Sequence, residues 1–344
     1  MAMLLIQKFG GSCMADPEGI KATAATVAAA VRRGDQVVVT VSAMGKETDD
    51  LLRLASDVSG ELPGRELDML LTAGEHKAAA LLSLALHGLG IPAESLTGGE
   101  AGIVTDRNHM AARIAFMRPG RIRAALASGR VPVVAGAQGV APDGAATFLG
   151  RGGTDTTAVA LAAGLGADVC EILTDVPGMF TADPRVVPGA RLLRRVDARM
   201  LVEMCEAGCP KPAARAAALA RDRRVLLRVR SPLSRQEGTW IGNEERAGGE
   251  DAVAVVSGLA GSGTATVSVI SRWAIGGVCG STTRTAAGML DALAGAGITA
   301  DIVSASRTRV TCAVPAVHAD QATICLHEVY VEQVAPRDEE ALAS

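Results

Sequence analysis

Short runs of apolar, branched residues alternate along this chain with longer stretches in which apolar positions recur at helical spacing. Leu4 to Phe9 and Gln36 to Ser42 read as buried strands, and between them Asp16 and Pro17 start a helix that Gly34 ends. The pattern predicts a long helix from Glu66 to about His87, a helical stretch from Arg113 to Ser128 broken at Pro119, and a strand at Val131 to Ala135. It continues with a helix after Thr157, a strand at Val169 to Thr174, helices at Ala198 to Ala207 and Ala213 to Arg221, and a strand at Val225 to Val229. Such alternation predicts an α/β fold with a mainly parallel sheet covered by helices on both faces. Ligands then belong at the carboxyl ends of the strands.

After Ser234 the text RQEGTWIGNEERAGGED is polar and glycine-rich and reads as a linker. Beyond it come strand, helix, strand, strand, helix, strand: Thr264 to Ser271, about Thr283 to Ala296, Ala300 to Ser306, Arg309 to Val314, a short helix from His318, and a final strand near Val329. The division expected is a domain at 1–235, a linker at 236–252, a small α+β domain at 253–335 and a tail at 336–344.

Composition narrows the function. At 344 residues, with 49% hydrophobic and 21% charged, the chain can bury a sizeable core in one large and one smaller domain. A formal net charge of -3 and 2% aromatic residues supply neither the basic field nor the stacking surface that nucleic acid requires. No apolar run reaches about 18 residues, and MAMLLIQKFGG is too short in apolar length for a signal peptide, so a cytoplasmic protein without a membrane partner is expected. Seven cysteines at 13, 170, 205, 209, 279, 312 and 325 read as reduced, space-filling thiols. Cys205 and Cys209 lie four apart with no histidine or second cysteine pair near in sequence, so no protein metal site is expected.

Glycines cluster where the strands end. Lys8, Gly10, Gly11 and Ser12 follow the first strand, Ser42 and Gly45 the second, Gly136 and Gly139 the Val131 strand, and Asp175 and Gly178 the Val169 strand. In TFLGRGGTDTTAVALAAGLGADVCEILTDVPGMFTADPR (147–185), Gly150, Gly152 and Gly153 permit a tight turn into a helix whose start offers free amide donors to an anion. Arg151 can grip a carboxylate or phosphate through two parallel bonds, while Asp155 and Asp175 can hold an ammonium group or a magnesium ion. A P-loop is excluded because Gly45-Lys46 runs into Glu47 and lacks the leading glycine, and the dinucleotide fingerprint is missing after the first strand.

KFGGS (8–12), SAMGKETDDLL (42–52), ELDMLLTAGE (66–75), AGIVTD (101–106), VPVVAGAQGV (131–140) and the run LGRGGTDTTAVALAAGLGADVCEILTDVPGMFTADPRVVP (149–188) closely resemble aspartate kinases, over roughly Leu4 to Ser234. The resemblance implies the three-layer amino acid kinase fold, with ATP and Mg2+, and transfer of the γ-phosphoryl group to the side-chain carboxylate of L-aspartate. It assigns Lys8 to the transferring phosphate, with Gly10, Gly11 and Ser12 as donors beside it, and makes Lys8 and Asp155 the catalytic residues. Glu75 and Asp155 would hold the substrate ammonium group, Arg151 its α-carboxylate, Thr154 would assist, and Ser42 would contact the phosphate-accepting end. Thr174, Asp175, Phe180, Asp183, Arg185 and Lys211 fall to the nucleotide side.

Several positions depart from the family's pattern. In GCPKPAARA, Pro210 takes the place of a lysine that reaches ATP and Lys211 comes one residue later; Glu100 replaces a glutamine, Phe180 a tyrosine, and His76 and Lys77 read as helix-surface residues. These changes keep a second reading open, a weakly active or non-catalytic paralogue that binds nucleotide as a regulatory or scaffold subunit. The C-terminal text TADIVSASRTRVTCAVP (299–315) resembles the second of two ACT modules, with the strand Ala252 to Leu259 as the remnant of the first. A single ACT-like domain implies a homo-oligomer, a homodimer at least, and WAIGGVCGSTT (273–283) in place of the usual proline-glycine turn implies altered or lost feedback control.

Overall fold

The computed structural model describes residues 2–234, 236–242, 253–261, 263–271 and 282–332. Most of the expected linker, the segment 273–281 with Cys279, and the tail 336–344 lie outside the described residues. The chain forms two compact units, Met1–Pro177 with Arg215–Trp240 and Gly178–Ala214 with Ile241–Ser344.

The first unit is built on β1 (Leu4–Phe9), α1 (Pro17–Arg32), β2 (Gln36–Val41), α2 (Glu47–Val58), α3 (Gly64–Gly88), β3 (Ala93–Leu96), β4 (Ile103–Thr105), β5 (Ile114–Met117), α4 (Gly120–Ala127), β6 (Val131–Ala135), β7 (Gln138–Val140), β8 (Ala146–Phe148), α5 (Gly153–Leu165) and β9 (Val169–Leu173). Six neighbouring strands of its sheet, all parallel, run in the order Leu227–Arg230, β9, β1, β2, β6, β3. The central strands are buried nearly end to end because helices cover both faces, which is why they read as continuous apolar runs. Leu5 and Phe9 of β1 join Val37, Val39 and Val41 of β2 in one core with Val27 of α1 and Leu82 of α3. Successive side chains alternate across a strand, so Lys8 points to the opposite face, where α5 packs on β1, β2 and β9.

Asp16 caps α1 by accepting from the Gly19 amide at 2.8 Å, as the sequence predicts. The stretch from Arg113, expected to be helical, instead forms β5. Its branched and aromatic residues pair antiparallel with β4, and the helix starts only after Pro119. β5, β4, β7 and β8 make a separate small sheet that delivers the chain from β8 directly into the turn before α5.

In the second unit Val253–Gly261, Thr264–Ser271, Arg309–Pro315 and Asp301–Ala305 form, in that order, an antiparallel four-stranded sheet. The helices Thr282–Gly295 and Ala319–His327 pack Met289, Leu293 and Leu326 onto Val255, Val267, Val269 and Val310. No strand forms near Val329. Residues Glu328–Glu332 continue as a π-helical turn that buries Tyr330, whose hydroxyl donates to the Thr285 carbonyl at 3.0 Å. The edge left on Thr264–Ser271 is taken by Val253–Gly261, so the strand read as a module's remnant belongs to the same sheet as the others. The segment 178–214 joins this unit through the Val255 amide, which donates to the Thr181 carbonyl at 2.7 Å, and through Arg309, 3.2 Å from Glu203.

Candidate active site

Four strand ends and one helix start converge at the carboxyl rim of the parallel sheet. Lys8, at the end of β1, is buried and lies 2.7 Å from Asp155 Oδ1, itself buried in the first turn of α5. The loops after β1 and β2 interlock: the Gly45 amide donates to the Gly11 carbonyl at 3.0 Å, and a Cβ on Gly11 would stand 2.7 Å from the Ala43 carbonyl oxygen. A side chain at position 11 would therefore push the two loops apart. Gly10 is closest to the lysine, its absent Cβ falling 3.4 Å from Lys8 Nζ, and Ser12 is exposed just beyond it.

The start of α5 is set by glycine. Gly150 and Gly152 adopt φ of +82° and +74°, the left-handed region that L side chains avoid, and the Gly153 amide closes the turn onto the Gly150 carbonyl at 3.0 Å. Arg151, at the apex, has a side chain 91% exposed and 3.6 Å from Asp49 of α2. Thr154 is buried behind it and accepts a hydrogen bond from the Ser42 hydroxyl at 2.9 Å, joining the end of β2 to the first turn of α5.

Glu75 carries a strongly perturbed carboxyl in this region. It is 2% exposed in the middle of α3, and its Oε1 accepts from the Ala43 amide at 3.4 Å. Its Oε2 is buried with no hydrogen-bond partner. Burial pushes its carboxyl up to about 7; the Ala43 amide pulls it back in part, and Glu47 adds repulsion. A carboxylate oxygen in this state is suited to a cation brought by a ligand.

The surroundings differ in places from the sequence reading. His76, expected on the helix surface, is half-buried, with Nε2 2.7 Å from Gln138 Oε1. Lys77 is exposed but pairs with Glu47, which also accepts from the Met44 amide. Glu100 is taken up by the Thr97 amide at 2.9 Å and by Arg121 at 2.7 Å, and the Thr97 N–H foremost holds its carboxyl below the usual range.

Thr174 and Asp175 follow directly after β9, the neighbour of β1, with the Thr174 hydroxyl 2.8 Å from Asp175 Oδ1. The remaining candidates belong to the second unit. Phe180 bridges to Leu192, and Asp183 is gripped by Arg185 at 2.6 to 3.2 Å, which holds its carboxyl low. Lys211 accepts through its carbonyl from Cys209 at 3.5 Å, and the Pro212 carbonyl accepts from Cys205 at 3.1 Å. The six described cysteines are free thiols, and burial pushes Cys312 up to about 11. Lys8, Gly10, Gly11, Ser12, Ser42, Glu75, Arg151, Thr154 and Asp155 thus share one rim of the first unit. Missed from the sequence were the Ala43 amide and the Glu47–Lys77 pair, whose only signal is that a short loop and a helix must meet beside Glu75.

The profile of the amino acid kinase family matches residues 3–231. The chain belongs to the amino acid kinase family. The chain is 49% identical over 252 residues to an aspartokinase of Mycolicibacterium smegmatis, covering 73% of this chain and 60% of that protein. It is 50% identical over 239 residues to an aspartokinase of Mycobacterium tuberculosis strain H37Rv, covering 69% and 57%. The chain therefore spans about three-fifths of the length of the curated relatives it matches. Among solved structures, aspartate kinase from Synechocystis aligns with TM-score 0.65 at 29% identity, over 96% of this chain and 69% of that one. Aspartokinase III of E. coli in complex with aspartate and ADP aligns with TM-score 0.79 at 18% identity, over 94% and 99%, a likeness of fold alone. The α/β architecture with a mostly parallel sheet is the one the strand pattern predicts, and with the small antiparallel α+β region that follows it matches aspartate kinase structures, as the resemblance implies.

Proposed function

We propose that this member of the amino acid kinase family transfers the γ-phosphoryl group of ATP to the side-chain carboxylate of L-aspartate, giving 4-phospho-L-aspartate. The observation that carries the reading is Glu75: a buried carboxylate with one donorless oxygen, tied through Ala43 to the loops that flank the Lys8–Asp155 pair. An amino acid's ammonium group supplies the missing donor, and Arg151 takes the α-carboxylate through two parallel bonds. Two anchors of opposite charge select an α-amino acid and leave its side chain free to point at the phosphate. The aspartokinase names of the relatives and the aspartate and ADP in the E. coli complex support that choice.

An ionised carboxylate is already a nucleophile, so no general base is required; the protein must bring two anions into line and stabilise a loose transition state. Lys8 neutralises the transferring phosphoryl oxygens, and Gly10, Gly11 and Ser12 offer donors around it. Asp155 holds the Lys8 ammonium in place and shares the substrate amino group with Glu75. Ser42 and Thr154 order the phosphate-accepting end. Thr174 and Asp175 serve the nucleotide side, and Phe180, Asp183, Arg185 and Lys211 are assigned there as well. Among the described residues no group of three or more His, Cys, Asp or Glu could hold a metal ion. The donors present fit magnesium carried mainly by phosphate oxygens, with one or two carboxylates such as Asp175 helping. When bound, the ion neutralises charge on the phosphates.

Residues 1–235 are assigned as the catalytic domain, 236–252 as a linker, 253–335 as a single ACT-like domain through which copies associate, and 336–344 as a tail. Support for the third assignment is the four-stranded sheet covered by two helices. No helix among the described residues is long and apolar enough to cross a membrane, which is compatible with a cytoplasmic location. The test is ADP formation from MgATP with L-aspartate, compared with succinate, which lacks the ammonium group. Turnover is expected with aspartate only; equal turnover with both would remove the role of Glu75.

A further inference from the structure

We propose that Asp68 and His109 position the turn that presents Arg151, and so set how well the site holds the α-carboxylate of its amino acid substrate. This rests on the reading above in which Arg151 meets that carboxylate. Asp68 lies on α3 about two turns before Glu75 and is fully buried. Its Oδ2 is 2.6 Å from His109 Nδ1, and its Oδ1 accepts the Met110 amide at 2.8 Å. A buried carboxylate is costly unless its oxygens are bonded, and here both are committed to the loop between β4 and β5.

That loop leads to the arginine. Met110 has φ of +65°, a left-handed conformation that a non-glycine residue keeps only when its surroundings enforce it. The two bonds to Asp68 enforce it from one side, and packing of Met110 against Leu71, Ala137 and Phe148 from the other. The Ala112 amide then donates to the Phe148 carbonyl at 3.0 Å, fixing the loop to β8. The Met110 carbonyl oxygen is aimed at the next turn, where a Cβ on Gly150 would lie 2.9 Å from it. The loop backbone and the Gly150–Gly152 turn are therefore in contact, and Arg151 stands between two left-handed glycines with its side chain 91% exposed. An arginine with so little packing of its own takes its aim from its backbone. Asp68 and His109 do not reach the substrate in this account; they are positioning residues.

The test is to measure kcat and the KM values for aspartate and ATP in the full chain, for the unaltered protein, His109→Ala, His109→Asn, Arg151→Ala and the double variant His109→Ala/Arg151→Ala. His109→Ala is expected to raise the aspartate KM about tenfold with kcat within about threefold and the ATP KM unchanged, the signature of lost ground-state binding. His109→Asn keeps an N–H donor for Asp68 and should stay within about threefold of the unaltered protein. In the Arg151→Ala background, His109→Ala should add less than about twofold, because the two act through one contact. An unchanged aspartate KM, equal rises in both KM values, or full multiplication of the two single effects would overturn the proposal. Should His109→Ala not fold, Asp68→Asn keeps the shape and is read by the same criteria. Absence of aspartate-dependent turnover in the unaltered protein would overturn the substrate reading, and this proposal with it, before any variant is compared.

Discussion

Glu75 links the site to the stability of the fold, and the link can be measured. Its carboxyl titrates near 4.5 when exposed and at about 7 in the folded chain, chiefly because burial disfavours the charge. The folded state therefore binds more protons than the unfolded state between these values, and stability falls as pH rises through that window. At 1.36 kcal/mol per unit, the charged form costs the fold about 3 kcal/mol above pH 7 and nothing below about pH 4. Glu75→Gln keeps the shape and the acceptor for Ala43 but cannot ionise. Unfolding by urea at pH 5 and pH 8 should show the difference in stability between the two proteins moving by about 2.5 kcal/mol in favour of the variant, whatever constant offset the new amide introduces. The same variant should lose the pH dependence of aspartate binding, which in the unaltered protein weakens as pH falls below about 7 and Glu75 becomes neutral. Parallel stability curves for the two proteins would refute the reasoning, because they would mean that Glu75 is not held charged at a cost.

Other parts of the site carry their own tests. Lys8→Ala should lower kcat by a factor of roughly 100 to 1,000, about 2.7 to 4 kcal/mol, by analogy with removal of one preorganised donor, and near-normal turnover in a rate assay would contradict its role. Gly136→Ala places a Cβ 2.5 Å from Thr154 Cγ2 and 2.8 Å from the Val41 carbonyl oxygen, so a thermal melt should show a loss of about 1 to 3 kcal/mol, with aspartate turnover impaired as Thr154 shifts. Lysine or threonine at millimolar concentration should leave the rate unchanged, and a saturable fall in rate would restore feedback control.

The legibility of this chain followed burial. β1, β2, β6 and β9 are covered on both faces, so each is an unbroken apolar run with little choice of assignment. β5 does not show in the apolar pattern because all four of its residues remain partly exposed and its place depends on β4, which is only three residues long. α2 is hidden for the same reason: it buries no residue, and its acidic first turn reads as loop text. The missing last strand is also a tertiary matter, since Val253–Gly261 occupies that edge and Tyr330 is drawn into the core instead. At the site, residue types and order marked Lys8, Gly150 to Asp155 and Glu75. Their physical state did not show, because the donorless oxygen of Glu75 arises from packing between α3 and a loop 32 residues away. Asp68 and His109 are 41 residues apart, and nothing in either local pattern announces the pair.

The most direct test of the account is to incubate the purified protein with MgATP, L-aspartate and hydroxylamine and to look for aspartyl β-hydroxamate alongside ADP. The account predicts both products in equal amounts, since an acyl phosphate on the side-chain carboxylate is trapped as it forms. ADP without hydroxamate, or no ADP while ATP still binds, would contradict it.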